Sequence, residues 1–261
     1  MDLSKMKIAI FTRSMNYSLY KISNNTLTLP FKHYRLTYTT AQGYLDKILE
    51  YDIDYAINID EDAFVVDNLA ILDLLEYCIK EEIVNCGIRD GGVLQIRYGN
   101  PLVTNPFFNI FNVKKIKENY SKSQVDDCLK KDIDYDNLLP NNLPYKYEIS
   151  NNYEPFYPFF LWLNINHKVL YLEGKQHNDN YSTILYNHKG EQMLFHSWFS
   201  REYGVDQFHT NRINDLYRSC TNVVIHFSIL EKAKIESEKL INQVLIPVVL
   251  PIRRIVKKMI K

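Results

Sequence analysis

The chain has 261 residues, 46% of them apolar and 13% aromatic, and its 31 basic and 31 acidic side chains cancel to a formal net charge of zero. That apolar content supplies a sizeable core for one large or two small domains, and the balanced charge excludes wholesale nucleic-acid binding. Cys78, Cys86, Cys128 and Cys220 are scattered without C-x-x-C or zinc-like spacing, which points to reduced thiols in a cytosolic protein.

The polar start, Met1 to Lys7, runs straight into a strand, so no signal peptide is expected. That first strand is Lys7 to Arg13, ending in a polar turn, and His33 to Tyr38 reads as a short second one. Ala41, Tyr44, Leu45, Ile48 and Leu49 fall at helical spacing. The run Tyr55-Ala56-Ile57-Asn58-Ile59 reads as a buried strand that stops in Asp60-Glu61-Asp62. Asp67 is placed to N-cap a helix over Leu69 to Ile79, and Val84 to Ile88 reads as a further strand before Gly91-Gly92. Strands alternating with helices predict an α/β, largely parallel, Rossmann-like sheet. Residues 117–153, rich in Lys, Asp, Asn and Tyr, read as a variable insertion or acceptor-side lobe. Apolar sections follow at Phe156 to Leu172 and Met193 to Phe199.

The division expected is one domain over 1–230 and a helical tail over 231–261. Beyond Pro247 and Pro251, Ile252, Ile255, Val256, Met259 and Ile260 share one helical face, and Arg253, Arg254, Lys257, Lys258 and Lys261 the other. Such a basic amphipathic helix suits an anionic membrane surface; the alternative is a helix packed on its own domain. No apolar run approaches the roughly 20 residues that a spanning helix needs.

The acids at the end of the third strand are the chief functional signal. Carboxylates there are costly to desolvate unless a cation or hydrogen bonds compensate. Asp60 and Asp62 lie two apart where strand alternation ends, so both can turn toward one divalent ion. Mg2+ or Mn2+ takes one or two carboxylates together with substrate phosphate oxygens.

This strand, acid turn and helix resembles the D-x-D motif of A-type (GT-A fold) nucleotide-sugar-dependent glycosyltransferases of the bacterial surface-polysaccharide kind. Three further segments are similar to that family. Thr104 to Ile116 looks like its asparagine-rich strand–helix element, with Asn105-Pro106-Phe107 where the family often has Asn-Ala-Gly. Glu154-Pro155-Phe156 resembles its acidic residue ahead of a helix. Phe195 to Arg201 resembles its late histidine segment, without the His-x-x-Gly-x-x-Lys-Pro form.

The resemblance implies a single GT-A-like domain with a mixed, mostly parallel sheet flanked by helices. It implies Asp60, Asp62 and His196 as ligands of Mn2+ or Mg2+. Thr12, Arg13, Asp60 and Arg201 would meet a nucleotide sugar, UDP-linked, and Glu154 or Asp90 would steady the sugar or take the acceptor proton. The acceptor would be a glycan or lipid-linked glycan of lipopolysaccharide or capsule, at the inner face of the cytoplasmic membrane, with peripheral contact through 247–261. Two alternatives stay open: a non-catalytic membrane-surface adaptor of the same fold, and a phosphohydrolase with an aspartyl nucleophile.

Overall fold

The computed structural model describes residues 2–91, 93, 99–128, 135–148 and 154–242. The basic tail at 247–261, Gly92, and parts of the 117–153 segment lie outside them. In chain order the elements are β1 (Ile8–Arg13), α1 (Tyr17–Asn24), β2 (Lys32–Leu36), α2 (Ala41–Leu49), β3 (Tyr55–Ile59), β4 (Ala63–Val65) and α3 (Asn68–Lys80). There follow β5 (Asn85–Arg89), β6 (Thr104–Asn112), α4 (Val113–Asn119), α5 (Lys122–Asp127), α6 (Tyr135–Leu138), α7 (Tyr157–Asn166) and β7 (Val169–Leu172). The last are β8 (Gly174–Gln176), β9 (Thr183–Tyr186), β10 (Gln192–His196), α8 (Gln207–Cys220) and α9 (Ile229–Leu240).

The architecture is α/β. A six-stranded sheet runs in the order β2-β1-β3-β6-β5-β7. Its pairings are parallel except where β6 runs against β3 and β5. Both faces of β1 and β3 are buried, which explains their nearly continuous apolar runs. On one face Ile8, Ile10, Ile57 and Ile59 pack with Ile71, Leu74 and Leu75 of α3. On the other, Phe11 and Ala56 pack with Leu45 and Ile48 of α2, Ile116 of α4 and Phe159 to Leu163 of α7. Asp67 caps α3 as its sequence predicts, accepting from Leu69 N at 2.8 Å and Ala70 N at 3.2 Å.

The strand–helix element expected at 104–116 is β6 followed by α4. Pro106 lies inside β6, where a proline would cost a ladder bond. The β5–β6 register jumps there, from Gly87 opposite Asn109 to Arg89 opposite Thr104, so Pro106 falls within a bulge. The Pro106 carbonyl accepts from Asn58 of β3, and the next carbonyl, of Phe107, accepts from Asp60 N at 2.9 Å. The bulge thus braces the chain where the acids begin.

The sequence did not announce a second, antiparallel sheet, β4-β10-β9-β8. Leu185, Met193 and Leu194 of this sheet join the same core as Ile57 and Phe108 of the first. Finally, α9 lies on α1. Ser228 and Glu231 form its capping box, and Glu231 also meets Lys21 at 2.8 Å. Glu238 takes both terminal nitrogens of Arg35, each at 2.7 Å.

Candidate active site at the carboxyl edge of the sheet

Parallel pairing sets Phe11 beside Asn58, so the exits of β1 and β3 are neighbours and Arg13 and Asp60 leave the sheet together. Ligands of open α/β sheets gather at this carboxyl edge. The chain turns at once: Ala63 N donates to the Asp60 carbonyl at 3.1 Å, and β4 starts the second sheet.

The three acids meet different surroundings. Asp60 is half-buried, and its carboxyl is pushed well above the usual range by burial and by Asp62, with Arg13 opposing. Glu61 points inward, across to the start of α1. It accepts from Ser14 Oγ at 2.7 Å, Asn16 N at 2.9 Å and Met15 N at 3.1 Å. Burial nevertheless raises its pKa to about 7, against the pull of those bonds. Ser14 also accepts from Arg35 Nε at 2.8 Å, so a chain of contacts runs Glu61–Ser14–Arg35–Glu238 out to α9.

Asp62 is buried, which raises its pKa, yet the facing His196 and a hydrogen bond from Ser200 bring it below the usual carboxylate range. Antiparallel pairing of β10 with β4 sets His196 opposite Ala63, and Ser197 N donates to the Asp62 carbonyl at 2.9 Å. His196 Nε2 then lies 3.2 Å from Asp62 Oδ1. Its ring is held between Phe107, stacked at 4.0 Å, and Trp198 at 4.3 Å.

Two neighbouring carboxylates, one raised and one lowered, form a site short of positive charge. Asp62 Oδ1 and His196 Nδ1 are both buried with no hydrogen-bond partner. Among the described residues no three His, Cys, Asp or Glu side chains converge as a metal-ligand set. A divalent ion held by Asp60 and Asp62 would need its other ligands from phosphate and water.

The remaining candidates are dispersed. Thr12 is buried, its Oγ1 2.8 Å from His33 Nε2 on β2. Arg201 is exposed on a short 3-10 helix, Ser200–Glu202. Glu154 is half-buried just ahead of α7, its carbonyl accepting from Tyr157 N at 3.1 Å. Asp90 is buried, and its two carboxyl oxygens accept from Asn105 Nδ2 and the Tyr157 hydroxyl. Asp90 therefore holds the Tyr157 hydroxyl, whereas the Glu154 contact is to the backbone of Tyr157. A small cleft lined in part by Arg89, Asn105, Phe107, Thr183 and Trp198 lies between this group and His196.

No family model matches the chain, and no curated protein matches it either. Among solved structures it is similar to A197 from STIV, at 13% identity and a TM-score of 0.37 over 72% of this chain and 94% of that one. It is similar to the mannosyltransferase PcManGT from Pyrobaculum calidifontis, solved with GDP-Man and Mn2+, at 7% identity and a TM-score of 0.34. That match covers 43% of this chain and 46% of the other. It is also similar to S. aureus TarS 1-349, at 11% identity and a TM-score of 0.35, over 63% of this chain and 58% of that one. Overlaps this loose say nothing about what the present chain binds.

Several site residues escape sequence reasoning. Ser14 and Asn16 contact Glu61 from a distant segment, and no local pattern joins them to it. Tyr157 is one of 20 tyrosines, and nothing in its neighbours marks it as the partner of Asp90.

Proposed function

We propose that the chain is an A-type glycosyltransferase that moves a sugar from a metal-bound nucleotide, UDP-linked, to a glycan or lipid-linked glycan in surface-polysaccharide assembly. The observation that carries this reading is the pair Asp60 and Asp62 at the exit of β3, their carboxyls perturbed in opposite directions beside Arg13. Such a pair at the ligand-binding edge of an α/β sheet suits a cation and a diphosphate. Bound there, Mn2+ or Mg2+ supplies countercharge for the departing diphosphate.

The chain's own residues have the following parts in this reading. Asp60 and Asp62 hold the ion. His196, clamped by Phe107 and Trp198, fixes the direction of Asp62. Arg13 and Arg201 supply forks for phosphate oxygens, and Thr12 lines the β1 exit. Glu154 or Asp90 would steady the sugar or take the acceptor hydroxyl proton, Asp90 being tied to Asn105 and Tyr157. Residues 247–261 give peripheral contact with the inner face of the cytoplasmic membrane. Among the described residues no helix is long and apolar enough to cross a membrane.

The test is thermal unfolding of the full chain with Mn2+ and a panel of UDP-, GDP- and CMP-sugars. One nucleotide with metal should raise Tm by roughly 5–10 °C at a hundredfold excess over Kd. Asp62→Ala should abolish the rise. Phosphate release from simple esters, or no stabilisation by any pair, overturns the reading.

A further inference from the structure

The β8–β9 loop and α8 border an open cleft of about 380 Å3 that the chemistry above does not use. Phe208, Asn211, Asp215 and Ser219 of α8 line one side, and His177 and Asp179 of the β8–β9 loop the other. Arg212 ties the two sides: it donates to Asp179 at 3.2 Å, to Ser182 at 2.6 Å and to the Trp198 carbonyl at 2.8 Å. Trp198 is the residue that packs on His196. The cavity therefore lies three contacts from Asp62, through Arg212, Trp198 and His196.

Aromatic rings lead from one place to the other. Phe199 directly follows Trp198 in the chain. Trp198 and Phe199 are consecutive non-glycine residues with left-handed backbone, φ 36° and 60°, a costly conformation that concentrates at functional sites. The turn they make leaves the Phe199 ring 41% exposed. From there Phe199 stacks on His209 at 5.1 Å, and Tyr181 meets Phe199 at 5.8 Å and Phe208 at 5.5 Å. Phe208, at the cavity wall, is 56% exposed. Tyr181 sits on a rigid loop, its N–H bonded to Asp179 Oδ1 at 2.9 Å. Preorganised rings of this kind lose little freedom on binding.

Charge selects the ligand class. Arg212 is paired with Asp179, and Asp215 with Arg218 at 2.8 Å. Among the described residues the lining presents no unpaired cation for a phosphate or carboxylate. What remains is exposed aromatic surface beside amide, hydroxyl and carboxylate groups, which suits the C–H faces and hydroxyls of a sugar.

We propose that this cavity and its aromatic rim bind a neutral oligosaccharide, with Phe208 and Phe199 as stacking platforms. That the bound glycan is the chain to be extended rests on the transferase reading; that a neutral glycan binds there does not.

The test uses the full chain on an array of neutral hexose and N-acetylhexosamine oligosaccharides with their sialylated and sulfated counterparts. Vesicles of phosphatidylglycerol and phosphatidylethanolamine are measured in parallel, as is the Tm rise with Mn2+ and nucleotide sugars. Retention of neutral glycans, weakened on the order of tenfold in Phe208→Ala and in Asn211→Ala, is expected. If glycans bind in this way but no nucleotide stabilises the chain, the transferase reading fails and this one stands. Nucleotide stabilisation without glycan binding overturns it, as do binding of acidic glycans alone and silence in both assays. It also falls if Phe208→Ala weakens vesicle binding and leaves glycan binding intact.

Discussion

His33 shows how one contact across two strands becomes a pH dependence. Its half-buried ring meets Thr12, and burial lowers its pKa from 6.5 to about 4. Between those values the unfolded chain binds the proton more readily than the folded one. The contribution is therefore complete above pH 6.5 and is lost as pH falls toward 4. The expected loss is about 2 kcal/mol, allowing for the partial exposure of the ring. The check is urea unfolding across this window: subtracting the curve of His33→Gln from that of the native chain should leave this slope. The acids tell a related story about legibility. An apolar strand ending in Asp60-Glu61-Asp62 marks itself, because desolvated carboxylates demand compensation. The inward path of Glu61 could not be read, because its partners, Ser14 to Asn16, precede it by some 45 residues. The partnership of Asp62 with His196 likewise needs the β4–β10 pairing, which no local pattern specifies.

At the level of elements, periodicity found what periodicity can find. α2, α3 and the strands β1 and β3 have apolar spacing dictated by burial on fixed faces. β4 has three residues and β8 is Gly174-Lys175-Gln176, mostly exposed, so neither carries a pattern long enough to recognise. α9 is legible as a helix but not as a clamp. Its hold on α1 and β2 rests on Glu238 and Arg35, whose side chains are only 8% and 10% exposed. Breaking such a pair leaves a buried charge without its partner, at about 3–5 kcal/mol. Glu238→Ala should lower the urea midpoint accordingly. Lys21→Ala, which removes the ion pair with Glu231 and leaves the capping box intact, should move the same midpoint far less.

For the molecule as a whole, the deciding fact is that two sheets share one core. Ile57 and Phe108 of the first pack in the same cluster as Leu185 and Leu194 of the second. The chain has two tryptophans: Trp162 lies among the α7 aromatics and Trp198 beside the second sheet. Trp162→Phe and Trp198→Phe leave one reporter each. Because β3 and β6 contribute to the clusters on both faces of the sheet, emission from the two variants should follow the same shape of urea transition as far-ultraviolet circular dichroism of each. A separate step seen by one reporter would mean that the sheets unfold apart. The contact chain Glu61–Ser14–Arg35–Glu238 has its own consequence for biosynthesis. A ribosome delivers the amino end first, so the acid turn emerges long before the carboxylate that secures Arg35. During translation the guanidinium waits unanswered, and the nascent acid turn gains this brace only when the segment around Glu238 has left the exit tunnel.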